Sequence, residues 1–306
     1  MSDLALDFCG VALEGPVLNA SGTFDAIAAR RAFGDALLER FPFHAFVTKT
    51  VTVEPRQGNP PPRLWETAGG MVNSIGLPNK GLDAFVAQDL PQLAELPVPL
   101  VVSVMGFDHS ELARLVETVG ARDEVALIEL NVSCPNVETG VLVGADPGET
   151  DAAVRAVRDR TAKPLVVKLS PNSVDPADVA RAAAAAGADA ISLINTLKGM
   201  PLDPRTRRPW LGGRTGGLSG PAVRVVALEQ VSAVAEAVDI PIVGMGGISS
   251  GSDALDFLSV GATVVAVGTE SFRDPSVGRR IGSELSAFGG HQTIRKGQPI
   301  STSSRA

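Results

Sequence analysis

Eight short apolar runs recur along the chain, and a stretch with helical periodicity follows each of them. The runs lie at 16–20, 44–50, 99–105, 126–132, 164–170, 190–195, 240–246 and 263–269. Continuous apolar strands that alternate with helices are typical of a parallel sheet buried on both faces. Eight such units within about 250 residues favour a closed barrel over an open doubly wound sheet. The sequence therefore predicts an α/β fold, a (β/α)8 TIM barrel.

No linker divides this pattern. The chain has 306 residues, and no Pro/Gly/Ser-rich stretch or shift in composition separates one part from another. A single barrel domain over 1–306 is predicted, with a polar C-terminal tail at 292–306.

Charge and hydropathy exclude several classes of partner. The net charge is -7 and no basic block offsets it, so nucleic acid is not an expected partner. No apolar run reaches the roughly 18 to 20 residues that span a bilayer, and the start, MSDLALDFCG, lacks the layout of a signal peptide. We therefore expect no membrane association and a cytoplasmic location.

Cysteine and histidine are too few for a metal centre in this chain. Cys9 and Cys134 are the only cysteines, which excludes a disulfide framework, a four-cysteine zinc site and an iron–sulfur cluster. Of the three histidines, His44 opens a strand at the far end of the barrel, His109 begins a helix and His291 lies in the tail. We expect no metal site.

Polar groups stand where the predicted strands end, which is the functional face of this fold. Lys49 and Lys168 end the second and fifth strands, where one could stabilise negative charge or form a Schiff base. Amides are concentrated in the same region, at Asn73, Asn131, Asn136 and Asn195. Long connections at 51–80, 135–148 and 196–219 would cover this face, so a deep site for a planar polar ligand is predicted.

Glycines follow the last two strands, in GMGGI at 244–248 and VGT at 267–269. Glycines at these two positions let backbone N–H groups approach an anion, so they indicate a phosphate site as well as tight turns. The phosphate could belong to a substrate or to a cofactor.

Cys134 lies in ELNVSCPN, directly after the fourth strand. A free cysteine is most often inert packing, but its position between Asn131 and Asn136 favours a role as the base that abstracts a proton.

The sequence also resembles a known family over nearly its whole length. The segments NASGTFD, GGMVNSIGLPNKG, ELNVSCPN, VVKLSPN, INTLKGM, GGLSGPA and GMGGISSGSDALDFLSVGATVVAVGT are similar to the class 1 dihydroorotate dehydrogenases of pyrimidine biosynthesis. Cysteine at position 134 is itself a class 1 feature, because class 2 relatives have serine there. The resemblance implies an FMN-containing barrel that oxidises (S)-dihydroorotate to orotate.

The same resemblance implies the roles of particular residues. Cys134 would remove the proton from C5 of dihydroorotate while the hydride passes from C6 to N5 of FMN. The implied FMN contacts are Ser21, Lys49, Thr50, Asn131, Lys168, Ile194, Gly220, Gly246, Gly247, Gly268 and Thr269. The implied substrate contacts are Lys49, Asn73, Ser74, Ile75, Gly76, Leu77, Asn131, Asn136, Asn195 and Thr196.

Within class 1, INTLKGM and GGLSGPA resemble the 1B group. That group pairs its catalytic subunit with a second subunit that carries FAD and a 2Fe–2S cluster, and it reduces NAD⁺. A homodimer or a heterotetramer is implied. NSIGLPN also resembles the fumarate-using 1A group, and Ser103 stands where 1B members usually have asparagine, so the acceptor stays open.

Two further functions are compatible with the residues. One is a flavin barrel that acts on another pyrimidine, as dihydropyrimidine dehydrogenase does. The other is a Schiff-base lyase or aldolase barrel that uses Lys49 or Lys168.

Overall fold

Eight parallel strands form the central sheet of the protein. The structure is a computed structural model that describes residues 4–132 and 143–288. The strands of this sheet, numbered among all strands in chain order, are β3 Val17–Asn19, β4 Phe46–Val47, β7 Leu100–Val104, β8 Val125–Asn131, β9 Leu165–Lys168, β10 Ala190–Leu193, β13 Ile242–Met245 and β14 Val264–Val267. Each coincides with one of the eight predicted runs, so the predicted (β/α)8 barrel is confirmed.

In space, β3 and β4 are the two edge strands of this sheet, and the barrel closes where they meet. Leu18 and Ala45 form a parallel bridge there, and the backbone N–H of His44 donates to Val17 O at 2.8 Å. The side chain of Asn19 completes the seam: its Oδ1 accepts from the N–H of Val47 at 2.8 Å, and its Nδ2 donates to the Val47 carbonyl at 2.8 Å. Asn19 is fully buried, so one amide replaces the missing backbone pairing at this seam.

Helices connect the strands and cover the outside of the barrel. They are α1 Ala26–Phe33, α2 Ala36–Glu39, α3 Leu82–Ala84, α4 Leu90–Leu93, α5 His109–Gly120, α6 Pro147–Arg158, α7 Pro176–Ala185, α8 Arg224–Ala237, α9 Gly251–Ser259 and α10 Val277–Ala287. Phe85–Asp89 forms a π-helical turn between α3 and α4, and Val143–Ala145, Pro221–Val223 and Thr269–Phe272 are 3₁₀ turns. Five helices begin at a side chain that accepts a backbone N–H, namely Asp25, Asp108, Asp146, Asp175 and Ser250.

Apolar residues form two cores because the strand residues alternate between the two faces of the barrel. In β8, Ile128 and Leu130 pack outward against the helices, whereas Leu127 joins a second cluster inside the barrel. The hairpin of β1 Leu6–Phe8 and β2 Val11–Leu13 adds apolar side chains to this inner cluster. The barrel interior is therefore filled with side chains below the level of the strand ends.

The long connections 51–80 and 196–219 meet in a four-stranded antiparallel sheet that we call the roof sheet. Its strands are β5 Leu64–Thr67, β6 Gly70–Asn73, β11 Leu197–Gly199 and β12 Gly216–Ser219, in the order β11-β12-β6-β5. The prediction that these two connections cover the C-terminal face of the barrel is confirmed. The third predicted cover, 135–148, lies largely outside the described residues.

No helix within 4–132 and 143–288 combines the length and the apolar character needed to cross a membrane. The single domain over 1–306 stays a prediction, and the tail at 292–306 lies outside the described residues.

Candidate active site

A cavity of about 830 Å³ opens where the barrel strands end. This volume suits a drug-sized or cofactor-sized ligand. Eighteen of the residues proposed above as FMN or substrate contacts line this one cavity: Ser21, Lys49, Thr50, Asn73, Ser74, Ile75, Gly76, Leu77, Asn131, Lys168, Ile194, Asn195, Thr196, Gly220, Gly246, Gly247, Gly268 and Thr269. Cys134 and Asn136 lie outside the described residues.

One face of the roof sheet forms a wall of the cavity. The register aligns one residue from each strand in a row across this face, and the row is Leu64, Asn73, Gly217 and Lys198. All four line the cavity. The neighbouring row carries only apolar side chains, from Trp65, Val72, Leu218 and Leu197. Since successive residues of a strand point to opposite faces, one face serves the ligand and the other serves packing.

Two lysines supply positive charge at different depths. Lys168 ends β9 and is buried, with 5% of its surface exposed. Among residues 4–132 and 143–288 no carboxylate forms an ion pair with it, so its ammonium is available to an anionic ligand in the cavity. Lys49 lies nearer the solvent. Loss of surrounding water lowers the pKa of Lys49, Asp25 opposes this change and Arg63 adds to it.

Glycines bring two backbone segments together at one end of the cavity. Gly246 and Gly247, after β13, have φ of 134° and 73°, and Gly220 has φ of 96°. A Cβ on Gly247 would lie 2.8 Å from the carbonyl oxygen of Gly220, which leaves no room for a side chain. Gly220 also precedes the 3₁₀ turn that leads into α8, so a helical N-terminus faces this end. Close backbone and an N-terminus fit a phosphate group.

Hydroxyl and amide groups form the floor of the cavity. Thr50 Oγ1 accepts a hydrogen bond from Asn131 Nδ2 at 3.0 Å, and it lies 3.3 Å from Ser21 Oγ. Ser21 Oγ donates to the carbonyl of Thr48 at 2.8 Å. The floor is therefore polar and its groups are held by one another, which suits a ring that carries several N–H and C=O groups.

Sequence reasoning missed some of the lining. Asn172, at the end of KLSPN, donates from Nδ2 to Thr196 O at 3.1 Å and accepts from the N–H of Lys198 at 3.0 Å. Both Asn172 and Lys198 line the cavity. Asn59 also lines it and donates to Ser74 Oγ at 2.9 Å. These three residues lie in the long connections or just after a strand, where spacing does not determine which side chains turn inward.

Fold and site together define a barrel with a covered cavity at its C-terminal mouth, lined by a buried lysine, several amides and close-packed glycines. The family model described as dihydroorotate dehydrogenase matches residues 3–288. The chain belongs to the dihydroorotate dehydrogenase family and is an oxidoreductase, so the resemblance seen in the sequence is confirmed.

Curated relatives agree with this assignment. The chain is 47% identical over 290 residues to a protein of Geobacter sulfurreducens, and the match covers 94% of this chain and 93% of the relative. It is 48% identical over 288 residues to a protein of Pelobacter propionicus, with the same coverage, and 45% identical over 295 residues to one of Desulforudis audaxviator, covering 95% and 94%. All three relatives are named dihydroorotate dehydrogenase B (NAD(+)), catalytic subunit.

Proposed function

We propose that this chain is the catalytic subunit of an NAD⁺-linked dihydroorotate dehydrogenase that oxidises (S)-dihydroorotate to orotate in pyrimidine biosynthesis. The observation that carries the proposal is that every described residue implied as a contact lines one covered cavity. The names of the relatives support the choice of reaction and of acceptor.

FMN is the proposed cofactor, and the chain's residues fit it. The glycine segments at 220, 246–247 and 268 would hold its phosphate, since a side chain at 247 would collide with backbone. Thr50 and Asn131 would contact its ring, and the buried Lys168 would stabilise negative charge that develops there. When bound, FMN would accept the hydride from C6 of the substrate.

Substrate binding is assigned to the opposite side of the cavity. Asn73 stands on the roof sheet and Asn195 follows β10, so amides would reach the pyrimidine ring from two directions. The segment 74–77 would close over it. Lys49 would pair with the substrate carboxylate, and because its pKa is lowered this pairing weakens at alkaline pH before that of an ordinary lysine would.

Cys134 is the proposed base. Its thiol would take the proton from C5, which divides the work between the protein, as base and orienting group, and the cofactor, as hydride acceptor. Asn136 would provide a further amide to the substrate. Cys134→Ala should bind FMN normally and lose turnover, and near-normal turnover in this variant would contradict the assignment of the base.

A partner subunit with FAD and a 2Fe–2S cluster is proposed to carry electrons to NAD⁺. The relatives are named as catalytic subunits, which supports the existence of a partner. We propose a cytoplasmic complex built on a homodimer or a heterotetramer.

The deciding experiment is anaerobic reduction of the FMN-loaded chain. Flavin absorption that bleaches on addition of dihydroorotate would support both the cofactor and the substrate. A yellow protein that ignores dihydroorotate, but whose flavin is reoxidised by uracil after chemical reduction with dithionite, would favour the dihydropyrimidine dehydrogenase-like alternative. A protein that takes up no FMN, but is trapped by borohydride with a carbonyl substrate at Lys49 or Lys168, would return the lyase alternative.

A further inference from the structure

A glutamate is buried inside the barrel directly beneath the proposed flavin site. Glu129 belongs to β8 and is 4% exposed. It stands two residues before Asn131, so both side chains point to the interior. Glu129 Oε1 accepts from Ser103 Oγ at 2.9 Å, and Oε2 accepts from Ser192 Oγ at 3.3 Å. A carboxylate at this depth requires such donors, because a buried charge without hydrogen bonds is costly.

One of these serines connects the carboxylate to the cavity floor. Ser103 Oγ lies 3.0 Å from Thr50 Oγ1, and Thr50 Oγ1 accepts from Asn131 Nδ2 at 3.0 Å. The four groups form a continuous hydrogen-bond chain from Glu129 through Ser103 and Thr50 to Asn131. The Ser192 hydroxyl also donates to the carboxylate, but Ser192 is not among the described residues that line the cavity.

The carboxylate determines which group donates and which accepts in each bond of this hydrogen-bond chain. A carboxylate only accepts, and a hydroxyl has one proton, so Ser103 must donate to Glu129. Ser103 then accepts from Thr50, whose other contact, with Ser21 Oγ, is longer at 3.3 Å. With its proton committed, Thr50 can only accept, and it must receive the N–H of the Asn131 amide. The amide is thereby held with its nitrogen toward Thr50.

We propose that Glu129 is a positioning residue that fixes the orientation of the Asn131 amide through Ser103 and Thr50. The inference rests on the proposed function, in which Thr50 and Asn131 contact FMN and Asn131 also contacts dihydroorotate. Glu129 is not one of the residues that line the cavity, so the proposal adds a residue beyond those implied as ligand contacts.

The test replaces Glu129 by Gln. Glutamine has nearly the same shape, but its amide can donate as well as accept, so Ser103 is free to reverse and the direction of the chain is lost. We expect the FMN dissociation constant of the apoprotein, measured by flavin fluorescence, to rise about tenfold, or about 1.4 kcal/mol. Orotate binding to the FMN-loaded variant, followed by the flavin absorbance shift, should weaken by a similar factor.

Two serine variants separate positioning from packing. Ser103→Ala interrupts the chain and should weaken FMN and orotate binding as Glu129→Gln does, and the double variant should be no weaker than Ser103→Ala alone. Ser192→Ala removes the carboxylate's other hydrogen bond and should leave both dissociation constants within about twofold. If Glu129→Gln does not fold, Ser103→Ala against Ser192→Ala still decides the question.

Unchanged binding in Glu129→Gln or in Ser103→Ala, or equal losses in Ser103→Ala and Ser192→Ala, would overturn the inference. The wild-type chain distinguishes this failure from failure of the proposed function. If wild-type protein binds FMN but not orotate, the proposed substrate is wrong, and the FMN dissociation constants of the variants still test the role of Glu129. Wild-type protein that does not bind FMN would reject the proposed function and this inference together.

Discussion

Replacing Gly247 by Ala should weaken FMN binding as well as the fold. Gly247 has φ of 73°, and its added Cβ would lie 2.8 Å from Gly220 O and 3.0 Å from Arg224 Cβ. The backbone carbonyl of Gly220 cannot move aside as a flexible side chain can, so the segments at 220 and 246–247 must separate. These are the segments that would present N–H groups to the phosphate.

The size of the effect follows from two contributions. A residue other than glycine in the left-handed region costs about 1 to 2 kcal/mol, and this cost falls on the fold. A hydrogen bond to a charged group contributes about 1.5 to 3 kcal/mol, and separating the two segments would misalign at least one such bond to the phosphate. We expect the FMN dissociation constant to rise about ten- to a hundredfold.

Gly10→Ala is the matched control. Gly10 has φ of 81°, and nothing lies within 4 Å of the position of its added Cβ. It joins β1 and β2, and the adjacent Cys9 Sγ donates to Asp189 O directly before β10, so Gly10 lies at the end of the barrel opposite the cavity. Gly10→Ala should therefore carry the backbone cost without affecting the ligand. Fluorescence titration of FMN into both apoproteins, with thermal unfolding of each, compares them. An FMN affinity within twofold of wild type in Gly247→Ala, or equal losses in the two variants, would refute the reasoning.

Three further predictions concern the barrel itself. Asn19→Ala leaves the N–H and C=O of Val47 unpaired in the interior, and urea titration should show a free energy of unfolding lower by about 2 to 4 kcal/mol; a change below 1 kcal/mol would mean that the seam rearranges. Burial, aided by the charge of Asp189, raises the pKa of Cys9 to about 12, so roughly one thiol in ten thousand is ionised at pH 8 and Cys9 should resist Ellman's reagent until the chain unfolds; rapid labelling of Cys9 in Cys134→Ala would contradict this. Burial lowers the pKa of His44 in the folded protein, so the unfolded chain binds the proton more readily and stability should fall as the pH drops below about 6.5; His44→Gln should remove this part of the slope, and an unchanged slope would exclude His44 as its source.

The barrel strands could be predicted because each is a short apolar run with a helix after it. Both faces of these strands are buried, so the run of Leu100–Val104 signals a strand without any alternation. The seam between β3 and β4 could not be predicted in the same way. It depends on the side chain of Asn19, and an asparagine at a strand end signals a turn or a ligand contact as readily as a structural amide.

For the roof sheet, the sequence predicts only that long connections cover the mouth of the barrel, and it does not predict that they form strands. Its strands contain residues such as Gly216 and Gly217, which disfavour strands in sequence, and β12 pairs with β6, where Gly217 lies opposite Asn73, more than a hundred residues away. Glycine is required at 217 because the side chain of Thr196 occupies the space where a Cβ would stand. Tertiary contact therefore overrides local preference in this sheet.

In the candidate site, too, some residues could be predicted from the sequence and others could not. Lys49, Lys168 and the glycines after β13 and β14 could be located because a barrel places strand ends at one mouth. Glu129 could not be assigned a role, since its partners Ser103 and Ser192 come from two other strands and nothing in the local sequence links them. The roles of the lining residues toward FMN and substrate stay predictions.

The alternation of the roof sheet limits how the chain can change in length. Insertion of a single residue within β6 would turn Val72 toward the cavity and Asn73 away from it, and an insertion within β12 would turn Leu218 toward the cavity in place of Gly217. Insertions or deletions at the exposed tip of the connection between β11 and β12, at 204–207, leave that register intact. The hairpin tip can therefore lengthen or shorten without altering the wall that faces the ligand, whereas the strands that carry it cannot.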